Sequence, residues 1–305
     1  MTSEDSAPVA LLEGTSLARY TTLRIGGPAQ YAVVAQTVED IQRAASHART
    51  VGLPLWLIGR GSNLLIDSAG LAGISLLLRR GAQGLEVHAD SKIIRADTSV
   101  SMPRIASEAM KAGLTGLEHL MVIPGTIGAG VAINAGVGGP DGQCVAQRLS
   151  SVRVLDPATG SVRQLNAQEA GLRYRGSRIQ DEGLIVLSVE LLAGGVDSPA
   201  SIAAKHRLIQ QKRIEKQPVN PHTCGSVFKA VDGVPAGRLI DQCGLRGKRI
   251  GAACISERHA NWIENLGGAH SDDVRRLVDL AREAVLRIHG VILEREMRIF
   301  PDDGN

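Results

Sequence analysis

The sequence predicts an α+β fold in two domains, on three observations. The chain has 305 residues, about twice a domain of ~150 residues. Between residues 29 and 192, short apolar runs outnumber helical patterns and do not alternate with them regularly, which argues against an all-parallel α/β sheet. From residue 198 the texture changes to charged helical segments, so the boundary falls near residue 197, with domains 1–197 and 198–305.

The elements follow in order. Ala29–Ala35 reads as a strand. Thr37 with Asp40 three residues on is a capping box for a helix that Gly52 ends. Leu53–Gly59 is a buried strand, the turn Gly59–Asn63 follows, and Leu64–Asp67 is a strand. Gly73–Arg79, Gly84–Ala89 and Ser91–Thr98 are further short strands. Ser101–Gly113 is a helix with Pro103 in its first turn. Ser150–Asp156 and Gly160–Asn166 form a hairpin, and Glu182–Leu192 is another strand. Ser198–Pro218 is a charged helix that Pro218 stops, and Gly237–Gly244 is a short helix. The strongest helix pattern is Ser271–Gly290. Ser271 is placed to cap it, Asp272 and Asp273 favour its positive end, and Val274, Leu277, Val278, Ala281, Val285 and Ile288 keep the 3.6 period. The chain closes on a strand over Val291–Phe300. There Val291, Leu293, Met297 and Ile299 share one face, and Ile292, Glu294, Glu296 and Arg298 the other.

Composition bounds the function. With 44% hydrophobic and 21% charged residues, the chain is an ordinary globular one rather than disordered, collagen-like or coiled-coil. Aromatic residues make up 2%, so the core is aliphatic and a single-strand nucleic-acid binder that stacks bases is excluded. The net charge of +3 is mild and no basic tail occurs, so no nucleic-acid partner is expected. Residues 120–140 are uncharged but contain six Gly and two Pro. They form a glycine-rich turn region and not a span of roughly 20 apolar residues, and no membrane association is expected. The four cysteines form no CxxC and no zinc-ligand spacing, and the N-terminus is not a signal peptide. A cytoplasmic protein with no metal site is expected.

Two loops are candidates for chemistry. Gly59-Arg60-Gly61-Ser62-Asn63 lies between two apolar strands. Its glycines let backbone N–H groups converge into a nest for phosphate oxygens, although a tight turn needs the same glycines. It is neither the dinucleotide fingerprint, whose third glycine is here Leu64, nor a P-loop. In Ile123-Pro124-Gly125-Thr126-Ile127-Gly128-Ala129-Gly130, followed by Asn134-Ala135-Gly136, small residues suit close ligand approach or close helix packing alike.

Taken together with Thr22–Ala29, Gly116-Leu117-Glu118, Tyr174-Arg175-Gly176-Ser177, Gln217-Pro218, Gly225–Lys229, Ala236-Gly237, Gly244–Gly247, Ser256–Asn261 and Leu293–Glu296, these loops make the chain resemble the UDP-N-acetylenolpyruvoylglucosamine reductases (MurB) over roughly residues 20–300. No one motif is specific, but their order and spacing are. The resemblance implies an FAD-binding domain of the vanillyl-alcohol-oxidase type followed by an α+β substrate-binding domain. It implies reduction of the enolpyruvyl ether of UDP-N-acetylglucosamine-enolpyruvate to UDP-N-acetylmuramate, with NADPH as hydride donor through non-covalent FAD. Its catalytic residues fall on Arg175, Ser226 and Glu296. Cofactor contacts are expected at Gly59, Arg60, Gly61, Ser62, Asn63 and Leu64, and at Pro124, Gly125, Thr126, Gly128 and Asn134. Substrate contacts are expected at Lys229 and His259, although Lys229 could instead activate Ser226. A UDP-sugar, NADPH and a monomeric state complete the expectation.

The residue types suit that chemistry. Hydride addition to a double bond conjugated with a carboxylate collects negative charge on the carboxylate oxygens, which pre-placed cationic or protonated donors stabilise. Arg175 supplies a fixed charge. Glu296 can donate only if burial raises its pKa. Ser226 can relay a proton to carbon. The chain departs from the family at Ala230-Val231, where Asn-Pro is usual, and at Val137-Gly138 after Asn-Ala-Gly. No tyrosine loop fits between Tyr174 and Gln217, which marks the shorter, second type. Two alternatives remain open: an FAD-dependent oxidase of the same fold that uses oxygen, and a non-catalytic flavin- or nucleotide-binding relative.

Overall fold

The structure, a computed structural model, describes residues 9–78, 84–218 and 220–301. Strand β1 (Leu12–Glu13) runs antiparallel to β2 (Ala29–Ala35), and α1 (Val38–Val51) follows. The ends of α1 are built as the sequence predicts. The Asp40 N–H donates to Thr37 Oγ1 at 3.1 Å, the Thr37 N–H donates to the Asp40 carboxylate at 2.9 Å, and Gly52 closes the helix at φ +66°. Ile41, Ala44, Ala45 and Ala48 form its buried face. The helix crosses to β3 (Leu55–Ile58), β4 (Leu64–Ile66) and β5 (Leu71–Leu78). Strands β2 and β3 flank β5 in parallel, completing a four-stranded sheet β1-β2-β5-β3. Arg79, the expected end of β5, lies outside the described residues, as do the first residues of the N-terminal segment.

The next stretch holds β6 (Leu85–His88), β7 (Ile93–Asp97), α2 (Met102–Lys111), β8 (Leu114–Thr115), α3 (Ile127–Ala132), β9 (Gly136–Val137), β10 (Gln143–Cys144), β11 (Leu149–Leu155), β12 (Val162–Asn166), α4 (Arg178–Asp181) and β13 (Ile185–Leu192). A second sheet, antiparallel throughout, has the order β12-β11-β13-β7-β6 and contains the expected hairpin. Ile105 of α2, Ile127 and Val131 of α3, and Ile94, Val152 and Val189 of the sheet share one aliphatic core. Each such side chain, fully buried, stabilises by roughly 1.5–3 kcal/mol.

Strand β14 (Gly195–Val196) pairs with β8, and α5 (Pro199–Lys216) begins at the Ser198 cap. The sequence assigns α5 to the second domain. In the structure it packs on Glu118–Val122 and on α2 of the first region. The last region contains β15 (Thr223–Ser226), α6 (Ala236–Gln242), β16 (Arg249–Ile250), β17 (Ala253–Ile255), β18 (Trp262–Asn265), α7 (Ser271–His289) and β19 (Arg298–Phe300). Its antiparallel sheet β15-β18-β17-β16 shares a core with α6 and α7, and that core also takes in Leu23, Ile25 and Leu65.

Three local expectations are corrected. Ser271 is the first helical residue of α7 and not its cap. Its N–H donates to Ser68 Oγ at 2.9 Å and its Oγ accepts from the Ser68 N–H at 3.0 Å, while the Asp273 carboxylate accepts from the His270 N–H at 3.0 Å. Ile288, which keeps the helical period, is 51% exposed because it sits in the last turn, past the packed face. The closing strand is shorter than expected. Only residues 298–300 form β19, which pairs in parallel with β4 in the register Arg298↔Leu64. Residues 291–297 bury Leu293 and Met297 but form no strand: they hold the chain after β15 through the Phe228↔Arg295 bridge and backbone hydrogen bonds to Val227 and Lys229.

Candidate active site

A cavity of about 570 Å³ runs between the first and last regions, within the size range of ligand sites, ~300–1,000 Å³. One part of its lining is the loop between β3 and β4. Gly61 adopts φ +63°, and a Cβ there would lie 2.2 Å from the Tyr20 carbonyl oxygen, so only glycine fits. The turn is pinned by the Thr22 N–H donating to the Gly61 carbonyl at 3.1 Å. Among the described residues, the N–H groups of Arg60, Gly61, Ser62 and Asn63 donate to no protein acceptor. Successive unspent amides of this kind form a nest that suits a phosphate-bearing cofactor.

The second glycine-rich loop meets the first. Ser62 Oγ donates to the Pro124 carbonyl at 2.9 Å, and the Gly59 Cα faces Thr126. Gly59, Arg60, Gly61, Ser62, Asn63, Leu64, Pro124, Gly125 and Thr126 therefore share the cavity. Gly128 and Asn134 do not line it. A Cβ on Gly128 would sit 1.9 Å from Thr98 Oγ1, so that glycine serves the packing of α3 on the segment after β7. Asn134 is a bracket: its Nδ2 donates to the Arg173 carbonyl at 3.0 Å and its Oδ1 accepts from the Ala146 N–H at 3.0 Å.

That bracket holds the turn that presents Arg175. The Arg173 N–H donates to the Gly176 carbonyl at 2.9 Å, closing the turn, and Arg175 sits in it at φ +53°. A non-glycine residue there costs on the order of 1 kcal/mol, and it aims the guanidinium inward. Its terminal nitrogen donates to the Gly136 carbonyl at 3.1 Å, and its Nε lies 2.5 Å from Glu296 Oε1. Arg175 and Glu296 are 14% and 15% exposed. Burial pushes the Glu296 carboxyl above its ordinary value, while Arg175 and then Lys229 pull it back down. Glu296 reaches this position because β19 pairs with β4. Its carbonyl accepts from Asn63 Nδ2 at 2.9 Å, and its N–H donates to the Val227 carbonyl at 2.8 Å.

Ser226 is set by a bulge. Between Thr223↔Glu264 and Ser226↔Trp262, β15 carries one more residue than β18, and Gly225 takes φ +77°. Bulges of this kind re-aim a side chain, and Ser226 lines the cavity with Arg175 and Glu296. Lys229 does not. Its ammonium pairs with Glu294 and lines a smaller neighbouring chamber that also borders Arg175 and Glu296. His259 does line the cavity. Its Nδ1 accepts from the Asn261 N–H at 3.3 Å, which leaves Nε2 as the donor of the neutral ring. Burial and then Arg246 hold its pKa below the ordinary value.

Three contributors escaped the sequence reading. Arg213 and Gln217, at the end of α5, line the cavity, and Arg213 is desolvated enough to lower its pKa. Asn261 grips the Phe228 backbone with both ends of its amide, at 2.8 and 3.0 Å, and so steadies the segment after Ser226. Its signal was present in the Ser256–Asn261 motif. Nothing local marked Arg213 among the basic residues of a charged helix.

Comparison with known proteins agrees with this layout. Residues 29–166 match a family described as an FAD binding domain, and residues 217–300 match the C-terminal domain of UDP-N-acetylenolpyruvoylglucosamine reductase. A protein of that name from Synechococcus sp. (strain RCC307) is 38% identical over 96% of this chain and 95% of its own length. A "reductase 2" from Symbiobacterium thermophilum is 38% identical over 96% of this chain and 93% of its own. The crystal structure of the reductase (MurB) from Thermus caldophilus superposes with a TM-score of 0.80 at 32% identity, covering 96% of this chain and all of that one. With two glycine loops, an inward arginine, a bulge-set serine and a partly buried glutamate lining one cavity, and with relatives matching along nearly its whole length, the chain belongs to the UDP-N-acetylenolpyruvoylglucosamine reductase family.

Proposed function

We propose that the chain is an FAD-dependent oxidoreductase that reduces the enolpyruvyl ether of a UDP-sugar to a lactyl ether, with NADPH as the source of hydride. One observation carries this: Arg175, Ser226 and Glu296, far apart in sequence, line the same cavity as the two glycine loops. The loop amides at residues 60–63 would hold the phosphates of FAD, and the flavin bound there would supply the hydride-transfer chemistry that links NADPH to the substrate double bond. Arg175 neutralises charge that gathers on the substrate carboxylate, and a protonated Glu296 donates a hydrogen bond to the same oxygens. Ser226 delivers a proton to the neighbouring carbon. His259 Nε2 donates to the substrate, and Arg213 faces a diphosphate.

FAD is held without a covalent link. Cys224 is the cysteine that lines the cavity, and burial pushes its thiol up to about 12, too high to act as a nucleophile. The site is completed within one chain, which supports a monomer, and four free thiols suit a reducing cytoplasm. Sedimentation of the purified protein tests the monomer.

The test of function is anaerobic. NADPH should bleach the yellow protein and the UDP-enolpyruvyl substrate should restore its colour, whereas an oxidase would recover colour only with oxygen. Glu296→Gln should slow recolouring about 10²-fold and leave bleaching intact. Glu294→Gln, at a side chain 55% exposed, should change neither step more than about twofold. The reverse ranking would place the functional carboxyl at Glu294.

A further inference from the structure

Behind the Arg175–Glu296 pair lies a second chamber of about 300 Å³. It shares Ile133, Arg175, Glu296 and Arg298 with the main cavity, so the ion pair is part of the wall between the two. Its remaining lining is largely polar, and the exposed Glu294 opens it to solvent. Gln180 lines it, and its Oε1 is buried without a hydrogen-bond partner among the described residues. A buried acceptor left unpaired costs roughly 1–3 kcal/mol, so in a polar chamber open to solvent it marks a position for water.

Lys229 is fixed at this chamber by backbone geometry. The Phe228↔Arg295 bridge sets Lys229 opposite Glu294, and the Lys229 N–H donates to the Glu294 carbonyl at 2.9 Å. Glu296 is two residues further along, on the same face. When the main cavity holds flavin and substrate, its water is displaced, and the rear chamber is the remaining way to the carboxyl.

We propose that the rear chamber is the solvent access of the Glu296 carboxyl, and that Lys229 and Gln180 are positioning residues that set from there when it holds its proton. The proposal rests on the role given to Glu296 above. Water in the chamber takes the proton from Glu296 or returns it. Lys229 favours the carboxylate by its charge, and Gln180 anchors the water. Among the described residues, the other charged or titratable groups here are Arg175 from the preceding turn, Asp181 of α4, Cys224 of β15, and Glu294, Arg295 and Arg298 of its own segment, while Asp141, Tyr174, Arg213 and His259 line the main cavity that Glu296 also lines. Among these, Arg175 and Lys229 are the cations that pull its pKa down.

The experiment uses the oxidised holoenzyme with carbon-13-labelled glutamate and follows the Glu296 carboxyl by NMR against pH, with Glu296→Gln to assign the signal. Lys229→Met removes a cation that favours the carboxylate, so Glu296 should bind its proton roughly tenfold more tightly and titrate at higher pH. Lys229→Arg should restore the midpoint. In stopped flow, the limb of the pH–rate profile for recolouring that reports Glu296 should move with the NMR midpoint, while bleaching by NADPH does not move. Gln180→Leu should slow recolouring roughly tenfold without shifting its midpoint. An unchanged midpoint in a folded, yellow Lys229→Met protein overturns the proposal, as does full recolouring speed in Gln180→Leu. If instead Glu296→Gln recolours normally while Lys229→Met still moves the midpoint, the chamber stands and the catalytic role of Glu296 fails.

Discussion

Two parts of the cavity lining are made in different ways. Around Gly59–Leu64 and Pro124–Thr126 the protein presents backbone, and glycine is dictated by space: at Gly61 any Cβ meets the chain at Tyr20 and Thr21. Around Arg175, Ser226 and Glu296 it presents side chains, each borne by a local irregularity: a turn at positive φ, a β-bulge, and a segment that forms only one bridge before β19. The difference teaches a division of labour. In the proposed function a cofactor's phosphates would be met by amides that every residue carries, so sequence matters there through what is absent from Cα. A reacting carbon would be met by chosen functional groups, so sequence matters through what is present and where it is aimed.

If this division is right, damage to the two linings separates cleanly. The largest effect is expected for Gly61→Val, which adds a branched side chain at φ +63° against the Tyr20 carbonyl. It should destabilise by roughly 3–5 kcal/mol and yield little or no yellow protein, read by flavin absorbance and thermal unfolding. A yellow, normally stable variant would break the claim that this loop is ruled by backbone space. Next is Ser226→Ala, which should keep FAD and NADPH bleaching but slow recolouring by about 10² or more, within the ~10²–10⁴ range of positioned proton transfer. A near-normal rate would mean that another acid protonates the carbon. Smallest is Gly139→Ala. Gly139 also lines the cavity, at φ +79°, but a Cβ there meets nothing within 4 Å. It should cost about 1 kcal/mol of stability with flavin content unchanged. A large loss of flavin would extend the backbone-built lining to that turn.

Most of the elements were legible from short-range signals. The α1 capping box, the β11–β12 hairpin and the buried face of α7 each depend on short-range contacts, and all formed as expected except Ile288 at the end of α7. The Ser271 cap failed because a distant residue, Ser68, claimed that hydroxyl. Strand 291–300 was overextended because alternation reports burial, whereas a strand also needs a partner along its length, and β4 is only three residues long. Gly128, Asn134 and Lys229 lie off the main cavity lining for a related reason: motif membership does not say which neighbour a residue faces.

By itself the sequence determined the α+β class and the glycine loops, because residue type and local spacing carry that information, whereas Arg175, Ser226 and Glu296 were singled out only through the resemblance to the reductase family. Tertiary structure alone decided that Asn134 holds the Arg175 turn, that α5 lies on the first region and brings Arg213 to the cavity, and that β19 beside β4 sets Glu296 next to Asn63. Each of these joins residues tens to hundreds of positions apart, and such contacts form only when several cores pack at once, which no local pattern encodes.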